Sequence, residues 1–165
     1  MSVSKKIVLL GHFGVGKSSL LRRFVEDTFS DDYKVTIGVH IMKKEVIVDN
    51  GSISLIIWDV EGTDDFTKYR SSYLLGAAGF IYVFDASRAI TYSDLKYNLG
   101  HLDEKYPSVP VHVIGNKVDL VDAEVLQKDL EAQEIKHDYL SSAKTGMNVE
   151  SLFSDIAAQL LKNAK

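Results

Sequence analysis

The sequence predicts an α/β fold: a three-layer sandwich with helices on both faces of a mostly parallel six-stranded sheet that carries one antiparallel edge strand. Three observations predict it. The runs Ile7-Val8-Leu9-Leu10 and Gly79-Phe80-Ile81-Tyr82-Val83-Phe84 contain no charge, as strands buried on both faces require. Such runs alternate with segments of helical period, which is the rhythm of a parallel sheet. Asp49-Asn50-Gly51 parts two strand-like runs and is a hairpin signal, which sets one antiparallel pair.

Each element has its own signature. The first strand ends at Gly11, and a helix begins near Lys17 with Leu20, Leu21, Phe24 and Val25 at helical spacing. Residues 27–40 lack a period and are rich in Asp, Ser and Thr, so they read as a loop. Strands follow over 41–48 and 52–58, then a helix over 64–75. After the strand at 79–84, Leu95, Leu99, Leu102 and Tyr106 share a helical face that Pro107 terminates. A strand at 109–114, a short polar helix at 123–133 and a strand at 137–140 come next. Val149, Leu152, Phe153, Ile156, Leu160 and Leu161 form the stripe of a last helix, with Asn148 as its expected N-cap.

The 165 residues suit one domain, 1–165, expected to be monomeric. The absence of cysteine excludes disulfides, zinc–thiolate sites and thiol catalysis. A net charge of −4 gives no general attraction to nucleic acid or anionic membrane. His12, His40, His101, His112 and His137 have no metal-ligand spacing and read as solvated or packed side chains. Lys43-Lys44 reads as a solvated strand edge.

In α/β sheets ligands sit beyond the carboxyl ends of strands. Gly11-His12-Phe13-Gly14-Val15-Gly16-Lys17-Ser18 lies at such an end and matches G-x-x-x-x-G-K-S/T between strand and helix. Its glycines let backbone N–H groups wrap a phosphate chain, and the helix N-terminus adds positive potential. Lys17 can reach the outer phosphates and Ser18 can ligate Mg²⁺. Phe13, Gly14, Val15, Gly16, Lys17, Ser18 and Ser19 are therefore expected to bind nucleotide, of either base: this is the fold of a P-loop NTPase.

Asn116-Lys117-Val118-Asp119 follows a predicted strand and resembles the N-K-x-D motif of the GTPase superfamily. The resemblance implies that the Asp119 carboxylate takes two hydrogen bonds from guanine, a donor pair adenine lacks. Ser142-Ala143-Lys144 looks like the S-A-K motif, in which the Ala143 N–H binds the guanine carbonyl. Asp59-Val60-Glu61-Gly62 fits D-x-x-G: Asp59 would hold Mg²⁺ through water and the Gly62 N–H would contact the γ-phosphate. Thr36 resembles the threonine of the first switch, contacting Mg²⁺ and γ-phosphate, and Phe29 and Tyr33 match aromatics beside the base and over the phosphates. Thr36-Ile37-Gly38-Val39, Ile57-Trp58-Asp59 and Tyr69-Arg70-Ser71-Ser72-Tyr73 look specifically like the Rab branch of the Ras superfamily, with Trp58 and Tyr73 at effector-facing positions. The resemblance spans nearly the whole chain. It implies a GTP/GDP switch with effectors, an exchange factor and an activating protein, a cytoplasmic location and a role in vesicle traffic. Rabs continue into a tail with prenylated cysteines. This sequence stops at Lys165, so membrane attachment is expected only through a tail absent from it, and a tailless Rab-like GTPase would read the same way.

Three departures surround the γ-phosphate. Thr63 stands where active members carry the Gln that orients the attacking water, and it is shorter and lacks an amide. Phe13 stands where Ras has Gly and crowds the space of an arginine finger. Glu61 replaces a usual Ala, and its added carboxylate would either slow hydrolysis by repulsion or contact water or metal. The catalytic positions are thus Lys17, Thr36, Gly62 and Thr63, the metal positions Ser18, Thr36 and Asp59, and hydrolysis is expected to be slow. The alternative is a scaffold that stays GTP-bound. A small-molecule kinase is disfavoured, since no Arg-rich lid is present and Asn116 to Asp119 argue against it.

Overall fold

A computed structural model describes residues 3–30, 36–49 and 51–164. Six strands form one sheet: β1 (Val3–Gly11), β2 (Val39–Val48), β3 (Gly51–Val60), β4 (Gly79–Asp85), β5 (Val111–Asn116) and β6 (Tyr139–Leu140). Their order is β2-β3-β1-β4-β5-β6. Only β2 and β3 pair antiparallel, with Val48 opposite Gly51, and the other neighbours run parallel. The helices are α1 (Lys17–Glu26), α2 (Ser71–Leu74), α3 (Leu95–Lys105), α4 (Ala123–Ala132) and α5 (Val149–Asn163). The expected class and strand count are thus observed.

β1 shows why the sheet must be covered twice. Ile7 and Leu9 join one core with Leu20, Leu21 and Phe24 of α1 and Phe153 and Ile156 of α5. Val8 and Leu10 join the other, with Leu95 and Leu102 of α3 and Leu126 and Leu130 of α4. Alternate residues point to opposite faces, so an unbroken apolar run supplies both layers. Phe24 and Phe153 stack with ring centroids 4.0 Å apart and planes within 8°, fixing α1 against α5. Lys44 is not a solvated edge residue. Its ammonium donates to the Phe24 carbonyl and lies 4.3 Å over the Phe24 ring. Among the described residues no helix is long and apolar enough to cross a membrane.

Two further expectations fail. The helix expected over 64–75 is a 3₁₀ turn at Phe66–Lys68 and the single turn α2, separated by Tyr69 and Arg70 in extended conformation (ψ 135° and 126°). Asp65 caps the 3₁₀ turn by accepting from the Thr67 N–H, and Tyr69 is drawn inward by bonds to Gly11; tertiary hydrogen bonds override helical propensity here. Asn148 precedes α5 but is left-handed (φ 61°) and does not cap it. Its side-chain amide instead donates to the Leu140 carbonyl at 2.7 Å and ties the helix start to the end of β6.

Candidate functional site

β1 ends at Gly11, and the chain turns through Gly14 (φ 70°) and Gly16 (φ 94°) into α1. A Cβ on Gly16 would stand 2.3 Å from Asn116 Nδ2, so glycine is required there. Gly16 brings no side-chain cap to α1, which leaves first-turn N–H groups for an anion. The loop borders a cleft of about 270 Å³. Phe13, Gly14, Gly16, Lys17, Ser18, Ser19, Phe29, Thr36, Gly62, Asn116, Lys117, Asp119, Ala143 and Lys144 all line it. Residues from both ends of the chain thus meet in one place.

Lys17 is only 6% exposed and makes no hydrogen bond to a described residue. Burial lowers its pKa, while the Asp59 charge pushes it back up. A buried ammonium needs a compensating anion, and the uncapped N–H groups at the start of α1 beside it could hold one. Asp59, at the end of β3, is fully buried. Its Oδ2 accepts from the Ser18 hydroxyl and, at 3.4 Å, from the Thr36 hydroxyl, and Ser18 and Thr36 are themselves 2.7 Å apart. Its Oδ1 has no hydrogen-bond partner among the described residues. Burial raises the Asp59 pKa, with Lys17 the largest opposing influence. Two hydroxyls and a carboxylate with an unpaired buried oxygen fit Mg²⁺, a hard cation that takes oxygen ligands.

The far end of the cleft is cross-braced. Asn116 donates to the Val15 carbonyl at 3.1 Å and accepts from the Ala143 N–H at 3.2 Å. Lys117 donates to the Gly14 carbonyl at 2.7 Å and lies 3.1 Å from the Asp85 carboxylate. These two residues are structural staples of the phosphate loop as well as cleft lining. Ser142 donates to Asp119 Oδ1 at 2.7 Å, orienting that carboxylate from behind. Arg23 of α1 donates to the Ala143 and Lys144 carbonyls at 2.7 and 2.6 Å, so α1 fixes both the phosphate end and the far end.

Val15, Asp59, Ser142 and Thr63 do not line the cleft. Val15 is fully buried in the core, and its carbonyl serves Asn116. Thr63 turns its hydroxyl into its own loop, accepting from the Asp65 N–H at 3.2 Å and donating to the Asp65 carbonyl at 3.3 Å. Tyr33 lies outside the described residues. Phe13 is 47% exposed at the mouth, with its carbonyl held by Arg88 at 3.0 Å. Glu61 faces the first switch, where its carboxylate accepts from the Gly38 N–H at 3.3 Å and its own N–H donates to the Gly38 carbonyl at 2.8 Å. Arg22, Ser30 and Leu120 line the cleft unannounced. For Arg22 a signal existed, since it falls one helical turn after Ser18 and Ser19.

Known proteins resemble this chain over most of its length. The profile of the Ras family matches residues 6–162. The chain is 40% identical over 162 residues to the Ras-related protein Rab-1 of Theileria annulata, covering 94% of this chain and 73% of that protein. It is 39% identical to the Rab-1 of Theileria parva, with the same coverage. It is 32% identical over 169 residues to the Ypt/Rab-type GTPase YPT7 of Saccharomyces cerevisiae, covering 95% of this chain and 81% of the other.

Proposed function

The chain belongs to the Ras family, whose members are GTP-binding switches, and we propose that it binds GTP and GDP with Mg²⁺, hydrolyses GTP slowly and presents its switch segments to effector proteins. The observation that carries this reading is the single cleft in which Lys17 and Ser18 stand at one end and Asn116, Asp119 and Ala143 at the other. That spacing of a phosphate cradle from a base pocket suits a nucleoside triphosphate.

Each residue has work suited to its place. N–H groups of the loop and of the α1 start hold the phosphates, and the Lys17 ammonium neutralises the outer ones. Ser18, Thr36 and Asp59 would hold Mg²⁺, which when bound supplies charge neutralisation to the phosphates. Asp119, braced by Ser142, accepts the guanine N1–H and amine. Ala143 shares its N–H between Asn116 and the guanine carbonyl. Gly62 offers its N–H to the γ-phosphate.

Slow hydrolysis follows from what the γ-phosphate lacks. The Thr63 hydroxyl is engaged with Asp65, so no side chain at that position orients a water. Phe13 occupies the mouth where an activating protein would insert an arginine. Intrinsic family rates are about 10⁻⁴ s⁻¹, and a finger adds roughly 10³- to 10⁵-fold. Single-turnover hydrolysis by GTP-loaded protein should run at or below that intrinsic rate. A rate of about 10⁻² s⁻¹ without a partner sinks the slow-hydrolysis reading. The bound state of Thr63 also favours a second reading, a scaffold that remains GTP-loaded. Persistence of GTP over many hours in purified protein would select it. Either form acts as a monomeric single domain with effectors, an exchange factor and an activating protein, in Rab-like traffic. The setting is the cytoplasm.

A further inference from the structure

The β1–β3 ladder stops at Leu9 opposite Asp59, while the β1–β4 ladder continues to Gly11 opposite Val83. At Gly11, therefore, β3 supplies no partner. Tyr69 takes that place. Its hydroxyl accepts from the Gly11 N–H at 2.9 Å and donates to the Gly11 carbonyl at 3.0 Å. The same carbonyl accepts from the Thr63 N–H at 3.1 Å. One glycine at the root of the phosphate loop thus holds the chain that follows D-x-x-G at two points, Thr63 and Tyr69. Immediately before them, Gly62 lies so close to the loop that a Cβ would fall 2.8 Å from the His12 carbonyl and 2.9 Å from the Phe13 Cα. Tyr69 is itself braced: its ring meets Phe66 edge-on at 5.7 Å, and Phe66 stacks on His101 of α3 at 5.6 Å. Burial pushes the phenol pKa well above its ordinary value, so the hydroxyl keeps the proton it donates.

We propose that Tyr69 is a positioning residue that clasps the D-x-x-G segment to Gly11, so that this segment keeps its place whether the bound nucleotide is a diphosphate or a triphosphate. The clasp rests on the guanine-nucleotide reading above. None of its bonds involves a phosphate. A segment held this way does not depend on the γ-phosphate for order, and loss of that phosphate then releases the Thr36 side alone. Partners that read residues 62–75 would meet the same surface in both states, and partners that read Thr36 and its neighbours would sense the nucleotide.

Amide hydrogen exchange on GDP-loaded protein and on protein loaded with a non-hydrolysable GTP analogue, each with Mg²⁺, tests this. In the wild type the Gly11 and Thr63 amides should exchange at rates within about threefold between the two forms. Tyr69→Phe keeps the ring and removes the clasp. It should speed both amides about tenfold or more in the GDP form and far less in the analogue form, where Gly62 gains a γ-phosphate contact. A wild type whose Thr63 amide exchanges about tenfold faster with GDP than with the analogue overturns the proposal without any variant. So does a Tyr69→Phe chain that accelerates both forms equally, which marks a merely structural role, or neither. Fluorescent GDP titration of the wild type separates the two levels: absent binding overturns the functional reading and the clasp with it, while binding with unequal protection overturns the clasp alone.

Discussion

Asn116→Ala measures how firmly the two ends of the cleft are joined. The side chain is 1% exposed and donates to the Val15 carbonyl and accepts from the Ala143 N–H, with a longer bond from the Ser141 hydroxyl at 3.5 Å. Alanine leaves both groups without this partner in a site that admits little water. Each orphaned buried group costs about 1–3 kcal/mol, so the unliganded fold should lose about 2–6 kcal/mol. For a domain of this size each kcal/mol lowers Tm by about 2–4 °C. The melting temperature should therefore fall by about 4 °C at least, and by over ~15 °C if neither group finds a new partner. Guanine can re-partner Ala143 but not Val15, so saturating GDP should recover part of the loss. Differential scanning fluorimetry with and without GDP reads both quantities. A drop under about 2 °C, or no recovery with GDP, would refute the stapling role.

Asp119→Asn should leave Tm nearly unchanged, because an amide oxygen still accepts from Ser142. It should weaken GTP by about 10²-fold or more and improve xanthosine triphosphate, since the amide mismatches the guanine donors. Unchanged GTP affinity in a competition titration would remove Asp119 from the base pocket. His112 carries a pH dependence: burial holds its imidazole below the ordinary value, and Asp138 offsets part of this. The folded value lies below the unfolded one, so its contribution is complete above about pH 6.5 and is lost as pH falls toward the folded value. Between about pH 7.5 and 5.5, Tm should fall less in His112→Gln than in the wild type, and equal falls would contradict the assignment.

The site was legible where chemistry is local. Residues 11–18 and Asn116 to Asp119 are contiguous motifs whose spacing fixes their geometry, and the structure brings them to one cleft. The sheet was legible because charge-free runs demand cover on both faces. The segment 64–75 was not, because its shape depends on Tyr69 reaching a glycine 58 residues away, and helical periodicity carries no word of that. Asn148 misled for a similar reason. Asparagine is favoured both at helix starts and in left-handed backbone, and the distant Leu140 carbonyl decided between them. Leu120 escaped notice because its exposure at the cleft comes from the turn after Asn116, not from any pattern in the chain.

On this reading the cleft holds guanine nucleotide and cleaves it slowly. Denaturing the purified protein and separating the released nucleotide by chromatography over a time course tests both halves at once. Guanine nucleotide near one per chain should be released, with loaded GTP declining to GDP at about 10⁻⁴ s⁻¹ or slower. Adenine nucleotide in its place, or no nucleotide and no uptake of GTP, would contradict it.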